Sequence, residues 1–171
     1  MKTKKVMAVL CAISLLFGGC AHKSDSYTPM AVNPSEDDDT WDLVESGIAV
    51  LENGSVYEGE GFGADVDCVC EIVFNTSMVG YQEIVSDPSY TAQAVVMTYP
   101  VIGNYGITDE DFETRTPTIG ALIVRDYNDN PSNFRYTKTL DELMVEYGIP
   151  GVSGVDTRRL TRIIRESGVM N

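Results

Sequence analysis

Up to residue 138 the sequence carries no helical period, and from Thr139 it carries two capped helices. "GIAVLENGSVYEGEGFG" sets a β-rich run on either side of Asn53-Gly54. Asn-Gly suits a hairpin turn because both residues tolerate positive φ. "CVCEIVFN", "AQAVVMTYP" and "TIGALIVRD" read as three buried strands, the second stopped by Pro100. Thr139 and Glu142 then make a T-x-x-E capping box. Leu140, Leu143, Met144 and Tyr147 follow at i, i+3, i+4 and i+7, and Gly148 ends the helix. Asp156 caps a second helix, with Leu160, Ile163 and Ile164 as its apolar stripe and Gly168 as its stop. Strands first and helices last predict an α+β domain, its helices on one side of a mostly antiparallel or mixed sheet.

Ahead of this body lies a different kind of sequence. Lys2, Lys4 and Lys5 precede an apolar run over residues 6–17. The run is too short for the ~20 residues of a membrane-spanning helix but has signal-peptide length. Gly18 and Gly19 are small residues before Cys20, and "LLFGGC" is similar to the bacterial lipobox, with Phe17 where leucine is usual. The expectation is a signal peptide over residues 1–19 and a lipidated Cys20 as the mature N-terminus. The chain would then be a membrane-anchored lipoprotein on the extracytoplasmic side. Several acyl chains hold a protein stably where one alone is marginal. Residues 20–40 are rich in Ser, Pro and Asp without periodicity and read as a disordered tether. Residues 41–171 remain for the domain, about 130 in all, a common domain size.

Charge and histidine content restrict the chemistry. The chain has 12 Lys+Arg against 26 Asp+Glu, a formal net charge of −14. Such a surface repels phosphate backbones, so nucleic acid is not an expected partner. The one histidine, His22, lies in the tether, which leaves the body without an imidazole for a Ser-His-Asp or Cys-His site or an ordinary His-based zinc site. Of the four cysteines only Cys68 and Cys70 belong to the body. Two thiolates make half a metal site, and positions i and i+2 share a strand face, so two small buried residues are expected there. "GEGFGA" fits a relaxed dinucleotide pattern, but "DVDCVC" follows with no helical period, which favours a glycine-bent strand. "DYNDN", residues 126–130, opens like a calcium loop, but Pro131 and Thr137 stand where that loop needs Gly and Glu. No catalytic residue, metal or cofactor is implied. Arg158, Arg162 and Arg165 share one face of the last helix, with Arg159 beside them. They read either as surface ion pairs of little worth or as a docking face for an acidic partner or an intra-domain clamp.

Residue chemistry alone stops at an exported α+β domain without visible catalytic machinery. Longer phrases go further. "FNTSMVGYQEIVSDPSY", "TYPVIGNYG", "LIVRD", "SNFR" and "GVDTRRLTRIIRESG" occur in this order. Together they closely resemble the N-terminal domain of the small, glutamine amidotransferase chain of carbamoyl-phosphate synthase, from about Leu43 to Asn171. The resemblance implies a swivelling β/β/α fold. It also implies a domain that packs on the large synthetase chain and on an amidotransferase domain carrying Cys-His-Glu machinery. In the family the serine of "DPSY" contacts bound glutamine, and it falls on Ser89. By itself Ser89 reads as a turn residue after Pro88. Family members continue past the position of Asn171 into a further strand and the amidotransferase domain, which is expected to be absent here. Cys70 stands where glycine is usual, and the family works in the cytoplasm without an export signal. Two functions follow as expectations: a docking and scaffold domain that hydrolyses no glutamine by itself, or an exported, lipid-anchored binding module that reuses the domain. An enzyme working through paired carboxylates has only the abundance of acids behind it.

The lipid anchor has a direct check. Cys20→Ala is expected to leave the membrane fraction on detergent-free fractionation, and a variant that partitions as the parent does would refute the anchor.

Overall fold

A computed structural model of the chain describes residues 7–10, 46–114 and 116–168. Cys20 and the tether of residues 20–40 lie outside the described residues, as does most of the expected signal peptide. Among the described residues the order is β1 (Met7–Leu10), β2 (Ser46–Val50), β3 (Val56–Gly63), β4 (Glu71–Asn75) and α1 (Tyr81–Ser86). A 3-10 turn (Pro88–Tyr90) leads to β5 (Gln93–Met97), β6 (Val101–Ile102), β7 (Ala121–Ile123) and β8 (Asp126–Tyr127). The last elements are α2 (Leu140–Tyr147), β9 (Pro150–Ser153) and α3 (Thr157–Ser167).

Among the described residues seven strands form one mixed sheet in the order β1-β2-β3-β9-β7-β5-β4. β3 runs antiparallel to β2 and β9; the other pairs are parallel. β6 and β8 make a separate parallel pair. The run "AVVM" explains the layering. In β5, Ala94 and Val96 join one hydrophobic cluster, and Val95 and Met97 join the other. β7 divides likewise, Ala121 and Ile123 against Leu122. A parallel strand buried on both faces reads as a continuous apolar run and needs cover above and below. α3 covers one face with Leu160 and Ile164, while α1 and α2 cover the other with Ile84, Val85, Leu143 and Met144. Each such aliphatic side chain stabilises the fold by roughly 1.5–3 kcal/mol on burial.

The α+β class and the strands-then-helices order therefore hold, with three corrections. The helices do not share one side of the sheet, because the two-faced strands need both covered. α1 precedes residue 138: Tyr81, Ile84 and Val85 stand at i, i+3 and i+4, a single helical turn's worth of pattern. β9 lies between the two late helices, and its sequence "PGVS" carries no alternation to announce it.

The caps form as read. Glu142 N–H donates to Thr139 Oγ1 at 3.1 Å while Thr139 N–H donates to Glu142 Oε2 at 2.8 Å. Gly148 closes α2 at φ 68°, and Asp156 accepts from Arg159 N–H at 3.0 Å to open α3. Tyr147 leaves the expected stripe, being 40% exposed at the helix end. The β2–β3 hairpin forms around Asn53-Gly54, but as a five-residue loop. Gly54 N–H donates to Leu51 O, and only Gly54 has positive φ. Asn53 instead accepts from Ser55 N–H through its side chain, the local bond that asparagine offers a turn.

"GEGFGA" is a strand, as its context suggested. Gly59 lets β9 come close: a Cβ placed there would meet Ser153 O at 1.9 Å. Gly59→Ala is expected to lower the unfolding free energy in urea by about 3 kcal/mol, at the upper end of overpacking costs. Val69→Ala, at a position 60% exposed, should stay within about 0.5 kcal/mol of the parent. Equal midpoints for the two would contradict this packing.

Candidate functional site

The segment from Asn75 to Tyr90 joins β4 to β5, and most of its polar side chains hold the segment itself. Asn75 Oδ1 accepts from Ser77 N–H at 2.7 Å, turning the chain out of β4, and Asn75 Nδ2 donates to Tyr90 Oη at 3.0 Å. Gly80, at φ 83°, starts α1 without a side-chain cap. Tyr105 supplies the missing partner, its hydroxyl accepting from Tyr81 N–H at 3.0 Å. The two rings stack at 4.1 Å, and Tyr81 Oη donates to Gly106 O at 2.8 Å. Burial foremost, and the neighbouring Tyr105, push the Tyr81 hydroxyl far above its ordinary range, so it serves as a structural donor.

Gln82 is the centre of this network. It is 0% exposed. Its Oε1 accepts from Thr108 N–H at 2.9 Å, and its Nε2 donates to Thr108 O. One side-chain amide thus satisfies both backbone groups of a buried residue, as a neighbouring strand would. Ser86 Oγ donates to Gln82 O at 3.0 Å and accepts from Glu113 N–H at 3.0 Å. The long connection between β6 and β7 is fastened to α1 through these two residues.

α1 ends into the turn that carries Ser89. Asp87 Oδ1 accepts from Ser89 N–H at 2.8 Å, and Thr91 Oγ1 donates to Pro88 O at 2.7 Å. Thr118 Oγ1 donates to Asp87 O at 2.8 Å, and Ala92 N–H to Thr118 O at 2.9 Å. Ala92 takes φ 58°, the only non-glycine residue with positive φ among the described residues. That strained conformation is held because its surroundings determine it. Ser89 itself is exposed, and its hydroxyl makes no hydrogen bond among the described residues. A fixed backbone therefore presents a hydroxyl to solvent that can both donate and accept.

Two other features face outward. Met78 and Val79 are 72% and 78% exposed at the start of the segment, and with Tyr99 and Val101 they border a shallow groove. Sequence reading missed this apolar patch. Its only signal was an apolar pair inside a polar turn. Arg158, Arg159, Arg162 and Arg165 all lie exposed on the outer side of α3. Among the described residues none of the four forms an ion pair. Arg159 acts on Tyr57, opposing the rise that burial gives the Tyr57 hydroxyl. The arginines and Ser89 follow helices on opposite faces of the sheet and do not form one cluster. In the calcium-like stretch, Tyr127 Oη donates to Asp129 Oδ1 and Asn130 N–H to Asn128 Oδ1, so its acids and amides serve a local turn.

Fold and site define a two-faced α+β domain whose chemistry-bearing residues lie exposed, Ser89 on a turn and the arginines on α3. The chain belongs to the carbamoyl-phosphate synthase small-chain family: the model of that small chain's CPSase domain matches residues 49–171. The carbamoyl phosphate synthase small chain of Fusobacterium nucleatum subsp. nucleatum is 58% identical over 121 residues, 71% of this chain and 34% of the relative. That of Oceanobacillus iheyensis is 55% identical over 121 residues, 71% of this chain and 33% of the relative. The pyrimidine-specific small chain of Halalkalibacterium halodurans is 54% identical over 121 residues, again 71% and 33%. The chain spans about a third of the length of the curated relatives it matches.

Two substitutions separate the frame from the outward residue. Gln82→Ala strands both Thr108 backbone groups and is expected to cost about 2–4 kcal/mol in urea unfolding. Ser89→Ala should change stability by less than about 0.5 kcal/mol. A destabilising Ser89→Ala would show that the hydroxyl belongs to the frame.

Proposed function

We propose that this chain works as the docking and scaffold part of a carbamoyl-phosphate synthase small chain and hydrolyses no glutamine by itself. The observation behind this reading is Ser89, a hydroxyl held out to solvent on a turn fixed by Asp87, Thr91 and Thr118. A single hydroxyl can bind one polar group of an amino acid, but it cannot activate a nucleophile without a base. Glutamine is the molecule proposed for it, with the remaining contacts supplied by an amidotransferase domain. The large synthetase chain is the second proposed partner. The exposed row of Arg158, Arg159, Arg162 and Arg165 is its proposed docking face, since exposed guanidiniums suit carboxylates on an opposing surface. The pathways this serves would be pyrimidine and arginine synthesis.

The N-terminal sequence supports a second reading. Lys2, Lys4 and Lys5, the apolar run and "GGC" favour export and lipidation at Cys20. The domain would then be a lipid-anchored binding module on the extracytoplasmic side, rather than a cytoplasmic subunit.

Ammonia release separates these readings from an active enzyme. The purified chain should release no ammonia from glutamine. Mixed with the amidotransferase domain of a relative, it should support release with a KM for glutamine that rises about tenfold on Ser89→Ala, about 1.4 kcal/mol of lost binding. Release by the chain alone, abolished by Ser89→Ala, would overturn the non-catalytic reading. A KM unmoved by the substitution would remove Ser89 from the site.

A further inference from the structure

β1 gives part of the apolar N-terminal run a place in the sheet. Met7–Leu10 pairs in parallel with β2: Met7 lies opposite Gly47, Ala8 opposite Ile48, Val9 opposite Ala49 and Leu10 opposite Val50. It is the end strand of the sheet, and residues 11–45 lie between it and β2. A parallel pair requires such a long connection. β2 has anchorage of its own. Its register with β3 runs from Ser46–Glu60 to Val50–Val56. Ala49 is 1% exposed in the cluster that holds Val152 and Leu160, and a Cβ on Gly47 would meet Val152 Cγ2 at 2.9 Å.

β2 nevertheless has the sequence of an interior strand. Edge strands are ordinarily blunted by charged side chains, proline or a bulge. Ser46–Val50, "SGIAV", has no charge and no proline, and its register with β3 is continuous. Its outer N–H and C=O groups need a partner strand. We propose that Met7–Leu10 is a displaceable cover, and that the β2 edge beneath it is a receiving site for an extended, uncharged apolar segment running parallel to β2. In strand addition the backbone hydrogen bonds give affinity and the side chains decide which segment fits. "MAVL" is wholly apolar, as is the "GIAV" opposite it. Four residues bind weakly as a free peptide, but attachment to the same chain raises their effective concentration to about millimolar. Cleavage before Cys20 would remove Met7–Leu10 and open the site, so processed and unprocessed chains would differ in this surface.

The experiment follows backbone hydrogen exchange in the full chain, under reducing conditions, with Ala8→Pro and Val9→Pro combined. Successive N–H groups of a strand point to opposite edges, so one of the two substitutions removes a donor toward β2. The amides of Gly47–Val50 that face β1 should exchange about tenfold faster, while those of β5 keep the parent's rates. A synthetic peptide of residues 2–12 at about 1 mM should restore the lost protection. The same peptide carrying both substitutions should not, and the parent should respond to neither. Unaltered exchange at β2 in the variant would show that Met7–Leu10 is not its partner. Faster exchange at β5 as well would make β1 part of the core rather than a cover. Failure of the peptide to restore protection, or a gain of protection in the parent, would overturn the receiving site.

Discussion

Burial of β5 and β7 on both faces is the constraint from which the architecture follows. Ala94, Val95, Val96, Leu122 and Ile123 are each 0% exposed, and Ala121 is scarcely more. No single layer of helices can cover them, since successive side chains leave a strand on opposite sides. The chain must therefore send helices to both faces. α2 lies on one and α3 on the other, so the connection between them has to pass the sheet. β9 makes that passage as a strand, pairing with β3 through Glu60–Ser153 and with β7 through Leu122–Gly151. Its neighbours make room. Gly59 faces Ser153, Gly47 faces Val152, and a Cβ on Gly151 would strike the Phe62 ring at 2.6 Å. Glycines gather where a late strand is inserted between an early hairpin and a parallel core.

The same constraint explains why so polar a segment as residues 75–90 lies against the core. α1 must cover Val95 and Met97, yet it has only six residues and no side-chain cap. Propensity cannot sustain so short a helix in water. Packing holds Tyr81, Ile84 and Val85, and hydrogen bonds hold the opposite side, with Gln82 and Ser86 fastening it to the 103–118 connection. Buried amides and hydroxyls are tolerable when every polar group is paired, and then they specify one arrangement. The Ser89 turn inherits its rigidity from this arrangement.

What was legible in the sequence depended on whether the physical cause was local. Caps at Thr139 and Asp156, the Asn53-Gly54 hairpin and the strand character of "GEGFGA" rest on residues a few positions apart, and they were readable. α1 was missed because one turn cannot establish a period. β9 was missed because Pro150, Gly151 and Ser153 are poor strand formers, placed there by their neighbours rather than by propensity. The partition of helices between faces depends on which strands become central, a property of the whole sheet. At the site, Ser89 and the arginines were legible as types and positions. The pairing of Gln82 with Thr108 joins residues 26 apart in sequence and left no local trace. The exposure of Met78 and Val79 was equally hidden, since an apolar pair in a turn is ordinarily assigned to the core.

Charge separates what α3 contributes to folding from what it leaves outside. Leu160 and Ile164 dock it and are buried, while the arginines stay exposed. Guanidiniums at Arg158, Arg162 and Arg165 repel one another mildly along the helix, a cost of a few tenths of a kcal/mol per close pair. A chain with 26 acidic residues could have relieved that repulsion with carboxylates of its own. Among the described residues it relieves none of it by ion pairing. The acids do lower the potential around the row at long range, but screening limits that help to about 8 Å at physiological salt. The row is thus a local positive feature on a negative protein, exposed on a helix that Leu160 and Ile164 dock. Desolvating it would cost energy unless the covering surface brought carboxylates in matching positions. That requirement selects among contacting surfaces by charge placement, independently of how much apolar area they bury.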